Sequence, residues 1–67
     1  MSTFSERLRE QRIEHRLKQK EVAKELGVSI SCYAGYEQGY REPDFTTFIK
    51  ICRYFSVSAD FLLGIET

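Results

Sequence analysis

QKEVAKELGVSISCYAGYEQG, running from Gln19 to Gly39, sets the plan for the chain around it. Val22, Ala23 and Leu26 recur at the three- and four-residue spacing of one helical face. Gly27 follows at once, where a chain leaving a right-handed helix often needs a positive φ that glycine adopts most cheaply. Val28 then turns inward. Ser29 is placed to accept a hydrogen bond from the free N–H groups that open a second helix. That second helix is short, about Ile30 to Gln38, with Tyr33, Tyr36 and Glu37 on its inner side.

Two short helices joined by a tight glycine turn make a helix-turn-helix, whose second helix can enter a DNA major groove. The same residues resemble a known family. The run L-x-Q-x-E-x-A-x-x-x-G-V-S, then a tyrosine, E-x-G and a proline four residues on, is similar to the lambda-repressor/Cro-like (XRE) helix-turn-helix family. Leu17, Gln19, Glu21, Ala23, Gly27, Val28, Ser29, Tyr36, Glu37, Gly39 and Pro43 carry the pattern. The resemblance extends from about Phe4 to Gly64. It implies an all-α, compact five-helix DNA-binding domain occupying residues 1–67.

Bulk composition is consistent with such a bundle. Sixty-seven residues give one small domain with a barely sufficient core, and 42% hydrophobic residues with a single proline suit helices over disorder. No stretch approaches a membrane span and the N-terminus lacks an apolar signal core, so a cytoplasmic protein is expected. Beside the resemblance, that means a bacterial or phage-encoded, nucleoid-associated one. Ten basic and ten acidic residues cancel. Residues 1–26 hold seven Lys or Arg against five Glu, while residues 27–67 hold three against five acidic groups. The positive excess therefore lies on the first two helices, and the phosphate-neutralising contribution is expected to be modest.

Taken in order, Phe4, Leu8, Ile13 and Leu17 mark the inner side of a first helix from about Ser5 to His15, capped by Ser5 or Thr3. His15 and Arg16 are expected to be exposed at the following turn. Asp44 is a good N-cap for a fourth helix, Phe45 to about Phe55, with Phe45, Phe48, Ile49, Cys52 and Phe55 in its core stripe. Ser58 caps a fifth helix near 59–63, in which Phe61, Leu62 and Leu63 face the core or a partner before Gly64 stops it. No strand is expected. Cys32 and Cys52 lie on separate helices without metal-type spacing and read as small, largely buried thiols. With no glycine-rich phosphate loop, no His/Cys metal spacing and no activated nucleophile, neither catalysis nor a metal, cofactor or small-molecule substrate is expected.

Binding is the class that remains, and the resemblance assigns its residues. It implies that Gln19 grips a DNA phosphate at the start of helix two; Lys18 and Lys20 flank that residue, and Tyr40 and Arg41, across the loop, are placed to reach the phosphate on the other side of the groove. Ile30, Ser31, Ala34 and Gly35 match the base-reading face, with Ser29 and Cys32 at its edges. Arg12 and Glu37 match a structural ion pair beneath the helix-turn-helix. Dimers of the family form through the turn before helix four and through helix five, where Phe45, Tyr54, Val57, Phe61 and Ile65 lie here. The reading face departs from the family, which often places Gln, Arg, Asn or Thr there. Ile30 and Ala34 suit thymine methyls and Ser31 suits several bases, so direct readout should be permissive and DNA shape more important. A repressor-type regulator acting as a homodimer on an inverted repeat is the leading expectation. A protein-interaction module on the same fold, antitoxin-like or an assembly domain, is the alternative.

Overall fold

The computed structural model describes residues 3–66, which form five helices: α1 Thr3–Glu14, α2 Gln19–Leu26, α3 Ile30–Gln38, α4 Phe45–Phe55 and α5 Ala59–Leu63. No strand occurs among the described residues. Three N-caps follow from the chain chemistry. The side chains of Ser29, Asp44 and Ser58 accept from the amides of Cys32, Thr47 and Phe61 at 3.0, 2.8 and 3.0 Å. At α2 the cap is one-sided. The Glu21 carboxylate accepts from the Lys18 amide at 2.7 Å, while the Lys18 side chain has no acceptor with which to return the bond.

The helices end in left-handed residues, as expected at Gly27 with φ 74°. Arg16 and Ser56 take the same conformation at φ 56° without being glycines. Arg16 stops α1, where its amide and that of Leu17 close on the carbonyls of Ile13 and Arg12.

Leu8, Val22, Ala23, Leu26, Tyr33, Tyr36, Ile51, Phe55 and Leu62 are buried together, and α3 packs against both α1 and α2. α5 packs against α1 and α4 through the fully buried Leu62. Five residues cannot hold a helix alone, so this docking maintains it. Arg7 reinforces it from α1: its guanidinium donates to the Phe61 carbonyl, pairs with Glu66 at 2.5 Å and lies 4.6 Å from the Phe61 ring centroid.

Several expectations need correction. α1 already includes Thr3 and Ser5, so neither caps it, and Ser5 is buried facing Gly39. Ile13 is half-exposed, because the last turn of α1 runs beyond the core. In α4 the buried stripe runs Phe48, Ile51, Cys52, Phe55, leaving Ile49 half-exposed and Phe45 88% exposed. Phe45 is the first residue after the Asp44 cap and projects from the end of the helix. Leu63 also faces outward, and both thiols are only half-buried.

Candidate nucleic-acid interface

α3 presents two unlike faces. Tyr33 and Tyr36 point into the core, and Glu37 sits beneath them with a side chain only 3% exposed. A carboxylate so placed needs its charge answered, and Arg12 answers it with a two-pronged contact, Nε to Oε2 at 2.6 Å and Nη2 to Oε1 at 3.1 Å. Arg12 also donates through Nη1 to the Leu17 carbonyl at 2.9 Å, and Gln19 donates through Nε2 to Glu37 Oε1 at 3.1 Å. One carboxylate thus ties α1, the turn after it and the first residue of α2 to the underside of α3. Burial pushes the Glu37 carboxyl up, but the hydrogen bonds from Arg12 and Gln19 outweigh it and hold the group below its ordinary value. The Tyr33 hydroxyl is close enough to favour the charged carboxylate but misses bonding geometry, so we assign it an electrostatic role only. Burial, and then the neighbouring carboxylate, keep that phenol protonated.

The outer face of α3 is built from small or apolar groups. Ile30 is 53% exposed, Ser31 is exposed and Ala34 is half-buried beside them. Ser29 is exposed too, with its oxygen engaged as the α3 cap and its O–H free to donate. Lys18 and Lys20 are exposed on either side of Gln19. Two residues expected at the DNA sit less openly. Cys32 turns its thiol away, with Sγ donating to the Tyr36 hydroxyl at 3.4 Å. Gly35 is buried, because the stem of Arg41 lies across it. The loop after Gly39 brings this about: the amides of Gly39 and Arg41 both donate to the Gly35 carbonyl, at 3.0 and 3.3 Å, folding the chain back along α3. Tyr40, just before, stands 69% exposed. The sequence signal for this packing was a glycine inside a short helix, which marks a close approach as readily as a bare surface.

The residues expected at a dimer contact separate into two groups. Phe45 and Ile65 are exposed, whereas Tyr54, Val57 and Phe61 are half-buried against the core, and Phe61 lies under Arg7. Beside Phe45 runs a shallow groove of about 420 Å³, lined by Phe4, Pro43, Phe48 and Leu63 among others. His15 is exposed, with Nδ1 2.8 Å from the Gln11 carbonyl and its ring edge-on to Phe55. Among the described residues no group of three His, Cys, Asp or Glu could hold a metal ion, and no helix is long and apolar enough to cross a membrane.

The family model described as helix-turn-helix matches residues 8–62, which include α2, α3 and the Arg12–Glu37 pair beneath them. The chain belongs to the helix-turn-helix family. It is 43% identical over 64 residues to the uncharacterized HTH-type transcriptional regulator YqaE of Bacillus subtilis, covering 96% of this chain and 55% of that one. It is 37% identical over 54 residues to the cryptic phage CTXphi transcriptional repressor RstR of Vibrio cholerae, covering 81% of this chain and 49% of that one. A crystal structure of a transcriptional regulator from Listeria innocua superposes with a TM-score of 0.88 at 34% identity, over 96% of this chain and 60% of that one. The chain spans about half the length of the curated relatives it matches. Against this helix-turn-helix background, the glycine at position 35 with an arginine laid across it is a feature of α3's outer face.

Proposed function

We propose that this helix-turn-helix domain binds double-stranded DNA for a transcriptional regulator, with α3 in the major groove. The observation that carries the reading is the division of α3 into an inner face fixed by Glu37 and an outer face left open at Ile30, Ser31 and Ala34. On this reading Ile30 and Ala34 pack on thymine methyls, and Ser31 and Ser29 hydrogen-bond to bases or adjacent phosphates. Lys18, Gln19 and Lys20 hold one backbone and Tyr40 the other. The Gln19–Glu37 bond supports this by fixing the amide that meets the phosphate. The domain works in the cytoplasm, as a homodimer on an inverted repeat. Similarity to a phage repressor supports a repressor of phage or mobile-element type.

Fluorescence anisotropy tests the reading with two labelled duplexes, one of random sequence and one carrying an inverted repeat from beside the gene. Specific binding should exceed random binding by roughly 10³-fold or more, and both should weaken with rising salt. Lys18→Ala with Lys20→Ala should weaken binding to both duplexes alike, since phosphates carry no sequence. Failure to bind either duplex at low salt would favour a protein-interaction module.

A further inference from the structure

The outer face of α3 lacks a side chain able to make a two-pronged hydrogen bond to a base, yet it contains a place made for one. Gly35 lies one turn beyond Ser31 on the same face, the position from which a longer side chain would reach into the groove. Glycine weakens a helix interior relative to alanine, so its presence here calls for a packing reason. Arg41 supplies it. A Cβ added at Gly35 would stand 2.7 Å from Arg41 Cδ, 2.9 Å from Cγ and 3.1 Å from Cβ. The whole arginine stem therefore lies in the space that any other residue at 35 would fill.

The head of this side chain is uncommitted. The ion pairs among the described residues are Arg7–Glu66 and Arg12–Glu37, and Arg41 joins neither. Its charge nevertheless acts on the Tyr36 hydroxyl, whose oxygen lies 3.4 Å from Cys32 Sγ in the first turn of α3. Burial and Cys32 push that phenol up to about 12, and Arg41 works in the opposite direction. Arg41 is exposed, and its stem lies along the row of α3 that Ser31 and Gly35 share. Its stem is already ordered against Gly35, so less side-chain freedom is lost when it binds.

We propose that Arg41, seated on Gly35, is the specificity-determining side chain of the interface and reads a guanine edge in the major groove, taking the place of a side chain from α3. The planar fork matches guanine O6 and N7, a contact that Ile30, Ser31 and Ala34 cannot make. The proposal rests on α3 entering the major groove. It departs from a phosphate role for Arg41, and it makes Gly35 a positioning residue that touches no DNA.

The test is parallel selection from a pool of duplexes with a randomised window of about 20 base pairs, using the wild type, Arg41→Ala and Gly35→Ala. Each protein's thermal melt by circular dichroism is compared first. Arg41→Ala should melt like the wild type, because Arg41 is at the surface, and Gly35→Ala should keep a cooperative melt, alanine's better helix propensity being set against displacement of the arginine stem. The wild type should enrich a fixed guanine in each half-site. Arg41→Ala should lose about tenfold or more of the discrimination at that one position and keep the rest of the preferred site. Gly35→Ala should relax the same position although the arginine is still present. An Arg41→Ala pool with the wild-type preference, bound uniformly more weakly, would overturn the proposal in favour of a phosphate contact. Loss of preference in Arg41→Ala with none in Gly35→Ala would overturn the seat. A wild type that enriches nothing would instead overturn the DNA-binding reading, and this proposal with it.

Discussion

At the scale of single residues, Glu37 has the largest consequences. A domain of this length holds roughly 3–10 kcal/mol of stability at about 0.05–0.15 kcal/mol per residue. Breaking a buried ion pair by neutralising one partner costs about 3–5 kcal/mol, against under about 1 for an exposed pair. Arg12 keeps some contact with water, its side chain being 15% exposed, so Glu37→Gln should cost close to 3 kcal/mol in urea unfolding. In a double-mutant cycle with Arg12→Met, the two losses should add to more than the double variant shows. A coupling near zero would make the two residues mere neighbours. The carboxyl also sets a pH dependence. Its folded pKa is held below the unfolded value, so its contribution is complete above the ordinary carboxylate range and is lost as pH falls through the lower folded value. Glu37→Gln should flatten the fall in stability across that acid window. This pair was legible because both residues carry a family pattern in the sequence. The seat of Arg41 on Gly35 was not, since it depends on the loop after Gly39 folding back along α3, a contact no periodicity encodes.

Among the elements, helix ends were easier to read than helix faces. Ser29, Asp44 and Ser58 announce themselves, because a cap is a local bond between a side chain and an amide three residues on. The α4 face was misread because its eleven residues are apolar over more than one stripe. Rows through Ile49 and through Ile51 both satisfy helical spacing, and only packing against α2 and α5 selects Ile51. The helix ends also yield a prediction of opposite signs. At Gly27 an added Cβ would meet nothing within 4 Å, so Gly27→Ala adds the left-handed strain of an L-residue, about 1–2 kcal/mol, partly offset by alanine's smaller freedom in the unfolded chain, for a net loss of up to about 1 kcal/mol. Ser56 already bears that strain at φ 56°. Ser56→Gly should relieve it, less the greater freedom of glycine in the unfolded chain, for a net gain of up to about 1 kcal/mol. Thermal melts should therefore move down for Gly27→Ala and up for Ser56→Gly, by about 4–8 °C per kcal/mol at this size. Equal downward shifts would mean that the two turns are not set by backbone conformation.

For the whole molecule, the question is whether one copy suffices. A single module buries about 600–1,000 Å² on DNA, and a face offering Ile30, Ser31, Ala34 and one arginine supplies few directed contacts. Zero formal net charge further limits the pull of the phosphates. Two copies on a two-fold axis would join their contacts and set the reading helices about 34 Å apart, one turn of the duplex. The surface available for that axis is narrower than the sequence implied, because Arg7 covers Phe61 and the core holds Tyr54 and Val57. What remains is Phe45, 88% exposed at the rim of the groove that it shares with Phe48 and Leu63, together with Ile65. Across a two-fold axis at that edge, each Phe45 ring can enter the partner's groove, the self-complementary arrangement such symmetry requires. So small a patch falls short of the roughly 1,200–2,000 Å² of a stable interface, so pairing should be weak in solution and completed on DNA. Sedimentation should show mostly monomer for the free domain and two copies on a duplex bearing the inverted repeat. Phe45→Glu, at a position outside the core, should leave the melting temperature unchanged and abolish paired binding. One copy per duplex, or half-sites bound independently at any spacing, would refute the dimer.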